Sequence, residues 1–214
     1  MKQAERCLWC GGELSRGKSF EQLMLKEDSL CGNCRKKMIP YGRTVKIGKL
    51  KIYALYVYDE QFMKFLVQYK ECMDEALKDI FCLPYLSVLK RKTKGKILVP
   101  MPSSKEKREI RGFDTLQQLY GQLERPFADL LEKKENFQQS GNREKRKKNA
   151  EAIVLKKGVE IPEKKMILVD DVVTTGSTLE AAVHWLPQVD EALVLAVNHR
   201  LIGRSEKTKE GVTG

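Results

Sequence analysis

The apolar residues of this chain follow two spacings, one typical of strands and the other typical of helices. Consecutive apolar residues predict buried strands at 96–99, 166–169 and 193–197, and an aromatic and β-branched stretch predicts a hairpin over 44–58. Between these segments, apolar residues recur every three or four positions and predict helices; they are Phe62, Phe65, Leu66 and Tyr69, then Leu77, Ile80 and Phe81, then Leu116, Leu119, Tyr120 and Leu123, then Leu179, Ala182, Val183 and Leu186. Strands that alternate with helices predict an α/β fold with a mainly parallel sheet.

Length and hydropathy set the class of protein. A chain of 214 residues allows one ordinary domain with a small appendage, and a hydrophobic content of 42% argues against global disorder. The apolar runs are far shorter than the roughly 20 residues of a bilayer-spanning helix, so we expect no membrane insertion. The segment before Cys7 lacks the apolar core of a secretory signal, so we expect a cytoplasmic protein.

Four of the six cysteines form two C-x-x-C pairs, Cys7 with Cys10 and Cys31 with Cys34. In a reducing compartment such pairs favour metal binding over disulfides. Two pairs together supply four thiolates for a tetrahedral site, which leaves no open position and predicts a structural zinc. Two unrelated buried pairs, or a redox motif, are the alternatives.

The cysteine pattern divides the chain. We expect a small zinc ribbon over residues 1–42, a larger domain over 43–204 and a polar, flexible tail over 205–214. Cys72 and Cys82 lie in segments with apolar periodicity, and we expect them to be packing residues.

The most informative segment follows the strand at 166–169. Two carboxylates, Asp170 and Asp171, come first, and a turn rich in hydroxyl groups follows them: Thr174, Thr175, Gly176, Ser177 and Thr178. Backbone N–H groups and hydroxyls at the start of a helix suit a phosphate. The two carboxylates could accept hydrogen bonds from a ribose diol or hold magnesium. Together they indicate a ribose 5-phosphate site, although Ser177 with Glu180 also forms a capping box that serves only the helix.

This twelve-residue run, 167–178, resembles the phosphoribosyl-pyrophosphate (PRPP) signature of type I phosphoribosyltransferases. With the double C-x-x-C pattern added, residues 7 to about 200 resemble the ComF family, the competence-associated phosphoribosyltransferase-like proteins of bacteria. Further matches are Gln68-Tyr69-Lys70 with Asp74, Val99-Pro100-Met101-Pro102, Arg111-Gly112-Phe113, and Gln139-Ser140 followed by Arg143, Arg146 and Asn149. The chain departs from the family pattern at Met73, where glycine is usual, and at Asp114-Thr115, where Asn-Gln is usual.

The resemblance implies a type I phosphoribosyltransferase-like parallel sheet flanked by helices, with a small N-terminal zinc ribbon. It implies that PRPP binds together with Mg²⁺, and that Asp170 and Asp171 hold the ribose hydroxyls and this Mg²⁺. It also implies that the turn at 174–178 binds the 5-phosphate. The residues matched to the pyrophosphate and basic loops are Ser103, Ser104, Lys105, Arg111, Arg143 and Arg146. The implied role is DNA uptake in natural transformation, with single-stranded DNA and a helicase-like uptake motor as partners.

Two further functions remain open, because no acceptor-recognition loop or general base can be identified. The protein could be an active phosphoribosyltransferase that releases pyrophosphate, or a regulator that uses PRPP only as a signal. The net charge of +11, from 40 Lys and Arg against 29 Asp and Glu, indicates polyanionic ligands. The densest basic run, 143–148, is a solvated loop, a lid on pyrophosphate or a contact for a DNA backbone.

Overall fold

A computed structural model describes residues 6–15, 28–103, 109–110, 112–133 and 153–210, the last six of these by their backbone only. Five residues predicted to face pyrophosphate lie outside this description: Ser104, Lys105, Arg111, Arg143 and Arg146. The basic run at 143–148 lies outside it as well.

Five strands form the main sheet: β1 (Pro40–Ile47), β2 (Leu50–Tyr58), β3 (Ile97–Pro100), β6 (Met166–Val173) and β7 (Glu191–Asn198). Their spatial order is β1-β2-β7-β6-β3, with β1 antiparallel to β2 and all other neighbours parallel. Two short strands, β4 (Leu131–Lys133) and β5 (Ile153–Leu155), pair separately. The predicted α/β class with a mainly parallel sheet and the predicted hairpin are therefore confirmed.

Seven α-helices accompany the strands in the described residues: α1 (Gly32–Arg35), α2 (Glu60–Lys70), α3 (Lys78–Cys82), α4 (Leu86–Lys92), α5 (Thr115–Gly121), α6 (Ser177–Trp185) and α7 (His199–Glu210). The apolar stretch after residue 75 is not one helix, because 3₁₀ turns at Glu75–Leu77 and Leu83–Tyr85 interrupt it and the second contains Pro84. No helix in the described part of the chain is long and apolar enough to cross a membrane.

The strand order sets where a site can form. Because β2, β7, β6 and β3 are parallel, their last residues share one side of the sheet, which we call the carboxyl edge; their first residues define the amino edge. The central strand β7 is buried from Ala192 to Val197, and such all-apolar strands are typical of a sheet covered on both faces. Ligands of open α/β sheets bind outside the carboxyl ends of the strands.

The cysteine-rich N-terminal segment packs against the larger domain through Arg35. Its guanidinium donates to both oxygens of the Asp28 carboxylate, to the Tyr56 hydroxyl at 3.2 Å and to the Ile80 carbonyl at 2.8 Å. The Trp9 ring lies 4.0 Å from the Phe65 ring, measured between centroids. The two parts therefore share a buried polar and aromatic contact.

Both proposed domain limits fall inside secondary structure elements, residue 42 in β1 and residue 204 in α7. Strand β1 begins at Pro40, before the limit at residue 42, and its register with β2 shifts between Pro40 and Arg43. Helix α7 continues to Glu210 and so includes the first part of the predicted tail.

Candidate functional site

Strand β6 brings the acidic pair to the carboxyl edge. The strand extends to Val173, so Asp170 and Asp171 lie inside it. The hydropathy pattern predicts a strand that ends at residue 169 and places the pair after it. The Tyr120 hydroxyl donates to the Asp170 carbonyl at 2.8 Å, and the Asp171 N–H donates to the Asp170 carboxylate at 2.9 Å. These bonds fix the pair near the carboxyl end of β6.

A cleft of about 290 Å³ opens beside this pair. The predicted residues that line it are Asp170, Asp171, Thr178 and Ser103. Sequence reasoning missed Glu71 and Lys133, which line the same cleft from the turn after α2 and from β4. No sequence pattern connects these positions, because only the fold places their elements beside β6.

Lys70, at the end of α2, forms an ion pair with Asp171, and both side chains are about four-fifths buried. The sequence match around Lys70 had carried no assigned role. Desolvation in the cleft and the charge of Asp171 raise the pKa of Asp170 to about 7, against the opposing effect of Lys70. Four carboxylates line the cleft against two lysines, Lys70 and Lys133, so carboxylates are in excess.

This donor set fits a divalent cation. Carboxylate oxygens are the ligands that Mg²⁺ prefers in proteins, and a cation would relieve the repulsion between Asp170 and Asp171. The residues present are thus suited to Mg²⁺.

The hydroxyl-rich turn precedes α6. Gly176 has a φ of +84°, a left-handed conformation that other residues adopt only with strain, and it occupies the cap position of α6. No side chain caps α6; Ser177 is instead its first residue, and its hydroxyl lies 3.0 Å from that of Thr175. The capping-box alternative is therefore wrong. Thr178 lines the cleft, whereas the other four residues of the turn do not.

The two departures from the family pattern have structural consequences. Met73 has a φ of +56°, so a methionine holds the left-handed conformation that glycine adopts without strain. Asp114 caps α5, since its carboxylate accepts from the N–H groups of Leu116 and Gln117, each at 3.0 Å. Asp114 also lines the cleft and adds a further negative charge.

The four predicted metal ligands come together. Their sulfur atoms all lie within 4.8 Å of one another, and the Cys10 and Cys31 sulfurs are 3.8 Å apart. A tetrahedral zinc with Zn–S bonds of about 2.3 Å requires sulfur atoms roughly 3.8 Å apart, so the group could hold a metal such as zinc. Burial would raise the pKa of the Cys7 thiol, but backbone N–H donors of Cys31 and Cys10 outweigh it and lower the pKa to about 7.

The other two cysteines differ from each other. Cys82 is fully buried in the core, which confirms the packing role predicted for it. Cys72 is exposed, so the same prediction for Cys72 is wrong. Helix α2 ends at Lys70, and residue 72 lies in the turn that follows and not on the apolar face.

Comparisons with known proteins agree with the fold and with the sequence resemblance. Residues 109–209 match a family model described as the phosphoribosyl transferase domain. The competence protein ComFC of Streptococcus pneumoniae (strain ATCC BAA-255 / R6) is 29% identical over 199 residues, which is 81% of this chain and 90% of that protein. ComFC of Bacillus subtilis (strain 168) is 25% identical over 216 residues, or 87% and 90% of the two chains. These matches confirm the resemblance to the ComF family.

Among solved structures, the adenine phosphoribosyltransferase of Saccharomyces cerevisiae is 16% identical and covers 63% of this chain and 76% of its own, with a TM-score of 0.40.

Proposed function

We propose that this chain is a ComF-type protein that acts in DNA uptake during natural transformation and binds PRPP, or a related ribose 5-phosphate, in the acidic cleft. The observation that supports the ligand is the meeting of the Asp170–Asp171 pair with Thr178 and Ser103 in one cleft at the carboxyl edge. The competence role rests on the similarity to ComFC proteins over most of the chain.

Each part of the cleft suits one part of the ligand. Asp170 and Asp171 accept hydrogen bonds from the ribose diol and hold Mg²⁺. Thr178 and the first N–H groups of α6 take the 5-phosphate, because the start of a helix carries unpaired donors and partial positive charge. Ser103 and Lys133 line the same cleft and are the groups that we expect to face pyrophosphate. When bound, Mg²⁺ offsets the negative charge of the pyrophosphate.

In the same proposal, Cys7, Cys10, Cys31 and Cys34 hold a structural zinc. Four thiolates close the coordination sphere, so the ion stabilises the N-terminal segment and takes no substrate. Single-stranded DNA and a helicase-like motor are the proposed partners.

The alternative is an active phosphoribosyltransferase, which would use the same cleft, with Asp170 and Asp171 beside the ribose of PRPP. In that reaction the bond between the anomeric carbon and pyrophosphate breaks, and its electron pair leaves with pyrophosphate. The acceptor forms a bond to the same carbon and loses its proton to a base.

Isothermal titration with PRPP and Mg²⁺ tests the site. We expect binding by the wild type and a loss of roughly 10- to 100-fold in Asp171→Asn, because a hydrogen bond to a charged group contributes about 1.5–3 kcal/mol. Asp129→Asn is the matched control, since it makes the same chemical change in an ion pair with Lys156 outside the cleft. Equal affinity of Asp171→Asn and the control would exclude the acidic cleft as the PRPP site.

Two further assays separate the functions. Pyrophosphate release from PRPP, measured over a panel of nucleobase and amine acceptors, should be negligible in a binding protein and measurable in a transferase. Expression in a naturally transformable host that lacks its own ComFC should restore transformation; no gain over an empty vector, with the protein present, would contradict the competence role.

A further inference from the structure

A second cleft, of about 380 Å³, lies at the amino edge of the sheet, away from the acidic pair. The residues that line it bring together five cations and one carboxylate: Lys51, Arg91, Lys92, Lys94, Lys96 and Glu191. Apolar residues, including Ile167 and Leu193, also line it. A concave surface with this excess of one charge focuses the field on a ligand of the opposite sign.

Ordered backbone holds the cations in place. Helix α4 ends at Lys92, and the buried Thr93 hydroxyl donates to the Leu89 carbonyl at 2.8 Å. Gly95 has a φ of +72°, and the Lys96 N–H donates to the Thr93 carbonyl at 3.1 Å. These bonds make residues 93–96 a tight turn that leads directly into β3, so its lysines are presented by fixed structure.

Carboxylates neutralise only part of this charge. Lys96 forms an ion pair with Glu191, and Lys51 lies 3.6 Å from Asp190. Among the residues that the structure describes, Arg91, Lys92 and Lys94 have no carboxylate partner.

The end of a helix does not account for the cluster. Cations in the last turn of α4 interact favourably with the helix dipole, which explains Arg91 and Lys92. It does not explain Lys94 and Lys96, which follow the helix, or Lys51 on a neighbouring strand. The Lys92 ammonium also lies 4.0 Å from the centroid of the Tyr53 ring, a cation–π contact that keeps it at the cleft wall.

We propose that this basic cleft is a second anion-binding site, which takes the linked phosphates of a polyanion. A single phosphate could pair with one or two of the cations and would leave the others unpaired, whereas a chain of phosphates can pair with several at once. Phosphate contacts require only accessible Lys and Arg, which five of the lining residues supply. The backbone of a single-stranded nucleic acid and free polyphosphate both have this chemistry.

The basic cleft is distinct from the acidic one. Ile167, which lines the basic cleft, and Asp170 are three residues apart on β6, which at about 3.3 Å per residue is roughly 10 Å. The choice of nucleic acid as one ligand source rests on the proposed competence function, but the anion site itself does not.

The test compares two double variants with the same change in charge. Arg91→Gln with Lys94→Gln removes two unpaired, exposed cations of the cleft, and Lys64→Gln with Lys157→Gln removes two exposed cations elsewhere. Fluorescence anisotropy with a labelled single-stranded oligonucleotide, and competition by inorganic polyphosphate, measure binding from low to moderate salt. PRPP titration with Mg²⁺ on the same variants reports the acidic cleft.

We expect the cleft variant to bind more weakly than the control, by roughly 25-fold near 0.1 M salt, and the slope of log affinity against log salt to fall by about 1.4, because each phosphate contact contributes about 0.7. If the cleft variant binds both the oligonucleotide and polyphosphate more weakly, the two ligands share this site. If it binds only one of them more weakly, that ligand is the one that the cleft takes. Equal binding by the two double variants overturns the proposal. A parallel loss of PRPP binding in the cleft variant also overturns it, because the two sites would not be distinct. Failure of PRPP binding in every protein, wild type included, contradicts only the proposed function.

Discussion

Replacing Asp170 with asparagine should stabilise the protein in the absence of ligand and weaken PRPP binding. Desolvation and the charge of Asp171 raise the pKa of Asp170 from its ordinary value of 3.8 to about 7 in the folded chain. The ionised carboxylate is thus disfavoured by folding. An asparagine retains an oxygen that can accept the Asp171 N–H, and it carries no charge.

The size of the effect follows from proton linkage. Between about pH 4 and pH 7, Asp170 keeps its proton in the folded wild type but has released it in the unfolded chain. The free energy of unfolding therefore falls by at most about 1.4 kcal/mol for each unit by which pH rises. The loss is complete above the folded pKa of about 7. From pH 5 to pH 8 the advantage of Asp170→Asn should therefore grow by about 2–3 kcal/mol, equivalent to roughly 5–10 °C in Tm for a chain of this size.

Urea unfolding of both proteins at pH 5, 6, 7 and 8 measures this difference. Asp129→Asn is the control, because that carboxylate lies in an exposed ion pair and its replacement should change stability by less than about 1 kcal/mol. A difference between Asp170→Asn and wild type that stays constant from pH 5 to pH 8 would refute the reasoning. So would a variant that is less stable than wild type at pH 8.

Three other substitutions test the turns and the metal group. Met73→Gly should raise the free energy of unfolding by roughly 0.5–1 kcal/mol in urea titrations, since relief of left-handed strain exceeds the added entropy of glycine; a loss of stability would contradict this. Gly176→Ala should lower stability by about 1 kcal/mol and weaken PRPP binding, whereas Gly121→Ala, which has open space around it, should not. Cys31→Ser should lose bound zinc by elemental analysis and lower Tm, and Cys72→Ser should do neither; full zinc occupancy in Cys31→Ser would remove Cys31 from the ligand set.

The apolar runs predicted the sheet because its strands are covered on both faces. Such strands have continuous hydrophobic sequences, and the predicted segments 96–99, 166–169 and 193–197 all lie in strands except for Lys96. The end of β6 was missed because two carboxylates interrupt the apolar run, although Asp170 and Val172 still pair with Val194 and Ala196 of β7. Hydropathy identifies which residues are buried and does not report which backbone groups are paired.

The acidic pair, the hydroxyl turn and the cysteine ligands were predictable because each is a local pattern. The Lys70–Asp171 ion pair joins residues 101 positions apart, and only the packing of α2 against the sheet brings them together. The basic cleft was missed for a related reason. Four of its five cations lie in one run, 91–96, but only the fold brings Lys51 of β2 beside that run and forms the concave surface.

The two clefts should act as independent binding sites at physiological salt. Their nearest elements are roughly 10 Å apart along β6, and the Debye length at 0.15 M salt is about 8 Å, so exposed charges on the two sides are largely screened from each other. They also share no ion-pair partner in the described residues, since Lys70 pairs with Asp171 and Lys96 with Glu191. Substitutions at such separations usually have additive effects. A protein that combines Asp171→Asn with the Arg91–Lys94 double change should therefore lose PRPP and polyanion binding by the same factors as the separate variants; a larger combined loss would mean that one ligand spans both clefts.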